Sequence, residues 1–297
     1  MVTPKTVLLA ALLVITAAFI VFWARVSRRH REERRESPRL LDVAVGFVTN
    51  FFDTLGIGSF ATTTTMFRLW SLVPDQRIPG TLNVGHALPT VAQALIYITI
   101  VEVQFNTLAL LILGAVAGSY IGAAIVSSWP RRAIRAGMGI ALLVAAGLMV
   151  MTALGRFPGG GDALLLSGTK LQIAIAINFA LGALMTLGIG MYAPCMIMIS
   201  LMGMNPTAAF PIMMGSCAFL MPTASVQFIR KEKYSLRAAL GLAIGGIPAV
   251  VIAAYIVRSL PLTYVRWLVV AVVVYTALTM LRSAMNEPEG GRTAAVA

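Results

Sequence analysis

Long apolar runs almost free of charge alternate with short basic connections along most of this chain. A helix needs about 20 apolar residues to cross a hydrocarbon core of about 30 Å. Runs at Thr6–Ala24, Thr81–Val103, Thr107–Ser128, Ala136–Leu154, Ala209–Ile229, Arg237–Ile256 and Tyr264–Leu281 meet that length and predict full crossings. Residues 40–73 do not fit the pattern, because as one helix they would measure about 50 Å. They predict an arm Leu40–Leu55, a break at Gly56-Ile57-Gly58, and a return arm Ser59–Val73. A second such hairpin is predicted by arms Leu171–Leu187 and Met191–Met204.

The two breaks carry the same pentapeptide. Thr54-Leu55-Gly56-Ile57-Gly58 returns as Thr186-Leu187-Gly188-Ile189-Gly190, 132 positions later. Pro74 aligns with Pro206, Gly114 and Gly118 with Gly241 and Gly245, and Ile134-Arg135 with Val265-Arg266. The chain therefore divides into an N-terminal helix with a basic loop (1–39), a first repeat (40–155), an external linker (156–170), a second repeat (171–283) and a tail (284–297) rich in Glu, Pro and Gly that reads as disordered. The expected fold is an all-α polytopic membrane protein. It has two repeats, each a broken or re-entrant hairpin plus three transmembrane helices, and one extra helix at the N-terminus. Interruptions at matching places in two halves are the sequence mark of a transporter's binding site.

Composition agrees: 59% hydrophobic against 11% charged residues describes a chain whose solvent is lipid. Charge then orients it, because cytoplasmic loops hold the excess of Lys and Arg. With both hairpins returning to their starting side, 18 of the 23 basic residues fall inside; only Lys5, Arg156, Lys170, Arg258 and Arg266 fall outside or near that interface. Were each hairpin a single crossing, the Arg131-Arg132-Arg135 loop would be external, against the rule. The halves are thus expected to be inverted, the N-terminus outside and the C-terminus cytoplasmic, in a cell membrane. The first run is followed rather than preceded by its arginines, so it reads as an uncleaved helix and not a secretory signal. It has no counterpart in the second half and is assigned to targeting or to a homodimer. The net charge of +12 is accounted for by orientation and by anionic headgroups, so no nucleic-acid partner is expected.

The breaks also hold the candidate chemistry. Return arms that start within the membrane present unpaired N–H groups and the positive end of a helix dipole, which suits an anion. Gly56, Gly58, Gly188 and Gly190 allow close backbone approach. Ser59, Thr62 and Thr63 add hydroxyl donors, Pro194 suits the first turn of the second arm, and Met191 and Cys195 stand beside it. Gly114, Gly118 and Gly122, spaced by four, read instead as a packing face. An ionisable group within a membrane is expensive and so is read as functional. Asp53 adjoins the first break where the second half has Met185, and is assigned to proton coupling. His86, paired with Ser216 across the repeat, is a second candidate for substrate binding and proton coupling. Asn83, Thr90, Gln93, Thr223 and Gln227 extend a polar seam along the same two helices. Arg68 is expected to snorkel to the inner surface or relay an anion, and Asp42 to be solvated. Cys195 and Cys217 form no ligand pattern and no Gly-rich nucleotide loop is present, so no metal or cofactor is expected.

With these breaks the chain resembles the sulfite exporter TauE/SafE family of permeases, whose halves each open with a glycine-rich motif at a membrane hairpin. The likeness covers nearly everything after residue 40, though Ser59-Phe60 and Met191-Tyr192 stand where a third glycine is commoner. It implies a secondary transporter, not an enzyme, exporting small sulfur-containing anions such as sulfite or organosulfonates. The residues alone leave open an anion channel or a permease for another small organic anion.

Overall fold

A computed structural model describes residues 4–34, 37–156, 158–255 and 263–286. Arg35, Arg258, Arg292 and the tail beyond Asn286 lie outside the described residues. The described chain is helical without a sheet: α1 (Pro4–Arg34), α2 (Leu40–Thr54), α3 (Ser59–Leu69), α4 (Ile78–Ile100), α5 (Phe105–Val126), α6 (Arg131–Ala153), α7 (Gly168–Met185), α8 (Tyr192–Leu201), α9 (Ala209–Arg230), α10 (Leu236–Tyr255) and α11 (Thr263–Met285). Single 3-10 turns at Asp75–Arg77 and Pro206–Ala208 lead into α4 and α9.

Among the described residues six helices, α1, α5, α6, α7, α9 and α10, are long and apolar enough to cross a membrane, and the protein is a multi-pass membrane protein. α4 has 23 residues but is not among the six, because Asn83, His86, Thr90 and Gln93 dilute its apolar character. It tolerates them because all four are buried in protein rather than turned to lipid. α9 is similarly enclosed: 83% of its apolar window is buried, against 22% for α1. The packed centre is therefore α4 against α9, flanked by α5 and α10, with α1 at the periphery.

Between helices in lipid there is no hydrophobic gain, so close backbone approach through small residues decides pairing. α5 packs on α7 where Gly114, Gly118 and Gly122 face the Ile175, Phe179 and Ala183 backbone, and Gly182 faces Ala115 in return. α2 packs on α10 the same way, with Gly46 against Leu242, Gly241 against Asp42 and Gly245 against Val43. A methyl group at any of these glycines would meet backbone, which has nowhere to move.

α2–α3 and α7–α8 are hairpins whose open ends are tied by polar contacts. α3 has 11 residues and α8 has 10, each about 15 Å and half a bilayer core. Arg237 ties the open end of the first hairpin: it pairs with Asp42 at the start of α2 at 3.1 Å and donates to Leu72 O just beyond α3 at 2.9 Å. In the second hairpin Lys170, on α7, donates to Met202 O just after α8. Each return arm thus comes back to the end from which its hairpin started.

The ionic ties place Asp42 and Arg68, and correct the expectation for Asp42. Asp42 is fully buried rather than solvated; besides the Arg237 pair its Oδ2 accepts the Arg39 N–H at 3.1 Å, capping α2. Arg68 is paired: its Nη1 lies 2.7 and 2.9 Å from the two oxygens of Asp75. Asp75 also takes Arg135 Nε of α6 at 2.6 Å. A buried carboxylate holding two guanidiniums joins the end of α3 to the start of α6.

Candidate functional site

Both breaks turn on glycines in conformations that side chains avoid. Gly56 and Gly58 have φ +90° and +88°, and Gly188 has φ +109°. The first break is tightened by Gly56 N–H to Asp53 O and Ile57 N–H to Phe52 O, at 2.9 and 3.0 Å. The second repeats it with Gly188 N–H to Met185 O at 3.0 Å and Ile189 N–H to Leu184 O at 3.5 Å. An added Cβ would meet open space at Gly58 and at Gly190.

That space is a cavity of about 40 Å³ between the two breaks. One face is polar, from Asp53, Ser59, Thr90 and Gln93, and the other is sulfur-lined, from Met185, Met191, Met213, Met214 and Cys217. Gly58, Phe60 and Gly190 complete the wall. Of the residues singled out from sequence, Asp53, Gly58, Ser59, Thr90, Gln93, Gly190 and Met191 meet here. A larger recess of about 360 Å³ lies between α1 and the α4–α5 connection, lined by Lys5, Glu102 and Gln104. Neither break faces it.

Asp53 organises the polar face. Its Oδ1 accepts the Ser59 N–H at 2.8 Å, so the first amide of α3 is already bound to a carboxylate of the chain itself. Its Oδ2 accepts from Gln93 Nε2 at 3.1 Å, and the same Nε2 donates to Thr54 Oγ1 at 3.0 Å. Tyr97 O–H donates to Thr54 O at 2.9 Å, holding the end of α2 to α4. Gln93 is fully buried and its Oε1 has no hydrogen-bond partner among the described residues. At α8 the place of Asp53 is taken by Met185, so the start of that helix has thioether and thiol neighbours, Met185 Sδ lying 3.5 Å from Cys217 Sγ.

The remaining predicted residues stand behind the walls. Thr62 Oγ1 donates to Gly58 O and Ser59 O, closing the first turn of α3 on itself. His86 is fully buried and spoken for at both nitrogens: Nδ1 lies 3.0 Å from Asn50 Oδ1, and Nε2 lies 2.9 Å from Thr63 Oγ1. Because Asn50 Oδ1 can only accept, Nδ1 carries the proton and Nε2 accepts from Thr63. The imidazole so joins α2, α3 and α4. Ser216 plays a matching part in the second half, accepting from Asn178 Nδ2 at 3.0 Å while the same amide donates to Leu111 O. Pro194 lies in the first turn of α8, and Cys195 faces Ala209 O, 4.0 Å away, outside the cavity.

Met213, Met214 and Cys217 escaped the sequence reading as wall residues, since methionine is ordinary filler in an apolar helix. The faint signal was their place on the helix that matches polar α4.

A long polar helix wrapped by apolar ones, with two broken hairpins meeting at its middle, is a transporter's layout. The family model described as "Sulfite exporter TauE/SafE" matches residues 2–150. The chain belongs to this family. The TauE/SafE proteins are membrane transporters and not enzymes, which places the cavity between the breaks in a permease. No curated protein and no solved structure gave a significant match to this TauE/SafE chain.

Proposed function

We propose that this TauE/SafE protein is a secondary carrier for small sulfur-containing anions, sulfite or organosulfonates, working by alternating access between two inverted halves and coupled to protons. The observation that carries it is the cavity in which both broken hairpins meet. Two helix N-termini converge there, and no Lys or Arg lines it to hold an anion tightly. A site built from backbone amides and dipoles binds an anion weakly enough to release it.

The inverted repeat draws support from the packing scheme. Exchanging α2–α6 with α7–α11 turns the α2–α10 contact into α7–α5 and the α5–α9 contact into α10–α4, while α4–α9 and α6–α11 map onto themselves. Prolines also recur, Pro79 and Pro89 in α4 against Pro211 and Pro222 in α9. The first hairpin opens toward the Arg68, Arg135 and Arg237 end and the second toward the Lys170 end. By the positive-inside rule the arginine end is cytoplasmic. The Asp42–Arg237 tie, between α2 and α10, and the Arg68–Asp75–Arg135 tie, within the first half, then lie on that side.

A cavity of about 40 Å³ is far below the roughly 300–1,000 Å³ of an open small-molecule site, so the substrate enters only when the hairpins part. That favours a carrier over a channel. Within the site Gly58, Ser59, Gly190 and Met191 are assigned to lining the anion pocket, and Gly56, Thr62, Gly188 and Pro194 to shaping the turns behind it. Thr63, His86, Cys195 and Ser216 support it from behind.

The test is counterflow of radiolabelled sulfite into proteoliposomes, with sulfoacetate, taurine, thiosulfate, sulfate and chloride as competitors. Counterflow with selective competition is expected. Leakage without counterflow would make the protein a channel, and no flux of any of these anions would remove the substrate assignment.

A further inference from the structure

Asp53 is an anion lodged in what the proposed function treats as an anion site. Its carboxylate holds the Ser59 amide at 2.8 Å, and Ser59, Gly58 and Asp53 all face the cavity. A substrate that takes up that amide comes within about 4 Å of the carboxylate. At an effective dielectric of about 20, the repulsion of two unit charges at about 4 Å is worth roughly a thousandfold in affinity. Among the described residues no cation lines the cavity to offset it. The groups facing Asp53 are Ser59 on α3, Gln93 on α4, Met185 on α7 and Cys217 on α9. His86 is engaged by Asn50 and Thr63, and Cys195 of α8 faces Ala209.

We infer that the substrate anion displaces Asp53 from the Ser59 amide only together with one proton, which Asp53 takes up, so that anion and proton move in the same direction in a one-to-one ratio. This rests on the carrier reading and fixes the sign of its coupling. Gln93 is built to serve both forms of Asp53. Its Nε2 donates to the carboxylate as found, while its buried Oε1, without a partner, is the acceptor that a protonated Asp53 O–H needs once the amide turns over. The second break needs no such partner, because Met185 stands where the carboxylate would be.

Charge bookkeeping makes the consequence sharp. The empty site carries the negative charge of Asp53, and the loaded site carries that of the anion, so both forms of the carrier cross with the same charge. Transport of a monovalent anion is then electroneutral, equivalent to exchange for hydroxide. An outward flux runs on the substrate's own gradient and carries the proton out with it.

The test uses radiolabelled methanesulfonate, which stays ionised at every working pH, so that any proton dependence belongs to the protein. Proteoliposomes holding the full chain are clamped at zero potential with valinomycin and potassium. An inward acid step of one pH unit is expected to concentrate methanesulfonate about tenfold inside, and at uniform pH an imposed potential is expected to concentrate none. Asp53→Asn cannot exchange a charge for a proton. Its residual flux is expected to ignore the pH step and to follow potential instead, about tenfold per 59 mV for one charge. Accumulation when the acid side is inside, voltage-driven uptake by the unaltered protein, or a pH response kept by Asp53→Asn would each overturn the inference. Counterflow that ignores pH would overturn it while leaving the carrier intact. No counterflow in the unaltered protein would remove the carrier reading, and the inference with it.

Discussion

Separating the Asp42–Arg237 pair is expected to destabilise the fold strongly, and restoring neutrality on both sides is expected to recover most of the loss. Asp42 is fully buried and the Arg237 side chain is 14% exposed, so neither charge has bulk water to fall back on. Their Nε–Oδ2 separation is 3.1 Å, and Arg237 also donates to Leu72 O. Removing one partner of a buried pair leaves an uncompensated charge and costs about 3–5 kcal/mol, whereas exchanging both for apolar groups is often close to neutral. Asp42→Leu and Arg237→Met are therefore each expected to cost about 3–5 kcal/mol. The double variant should lose only about 1–2 kcal/mol, for the Leu72 and Arg39 hydrogen bonds given up. For a chain of this size about 2–4 °C of midpoint accompanies each kcal/mol. The single variants should thus melt about 6–20 °C below the unaltered protein in detergent, and the double only about 2–8 °C below it. Thermal unfolding read by helical circular dichroism closes the cycle. Additive losses would refute the reasoning, because they would mean that each charge finds its own solvation and the two do not hold the hairpin as a pair.

Gly190→Leu is expected to abolish binding without loss of fold, since a side chain there enters open cavity space and the glycine has no left-handed φ; counterflow on monodisperse protein checks it. Gly58→Leu should abolish binding too, with added strain from φ +88°, and normal binding in both variants would sink the hairpin site. Gly118→Leu should prevent assembly, because its side chain would meet the Phe179 backbone, while Gly147→Leu, which meets open space, should elute normally on size exclusion. His86→Phe should cost about 1–3 kcal/mol by orphaning Asn50 Oδ1 and Thr63, seen as a lowered unfolding midpoint.

Much of this protein is written locally. Apolar length set the helices, and most observed ends, such as Leu40–Thr54 for a predicted Leu40–Leu55, differ by a residue or about a turn; α1 is the exception, running to Arg34 through arginines expected as a loop, because hydropathy marks where lipid ends and not where the helix does. The spacing of Gly114, Gly118 and Gly122 already told of a packing face, since residues four apart share one side of a helix whatever lies opposite. The pentapeptide repeat marked both ends of the cavity. What the sequence left undecided was every choice of partner. Asp42 and Arg237 lie 195 positions apart, and a residue that hydropathy places at a wet interface is dry because α10 covers it. Asp53 looked like an isolated carboxylate, yet the turn brings it onto the Ser59 amide six residues on and beneath Gln93 forty residues on. The sulfur wall of Met213, Met214 and Cys217 is indistinguishable from filler until α9 is laid against the breaks. Periodicity and length act within one helix and so are legible in order along the chain. Charge pairing, capping and cavity lining depend on which helices meet, and that is settled by packing among residues far apart in sequence.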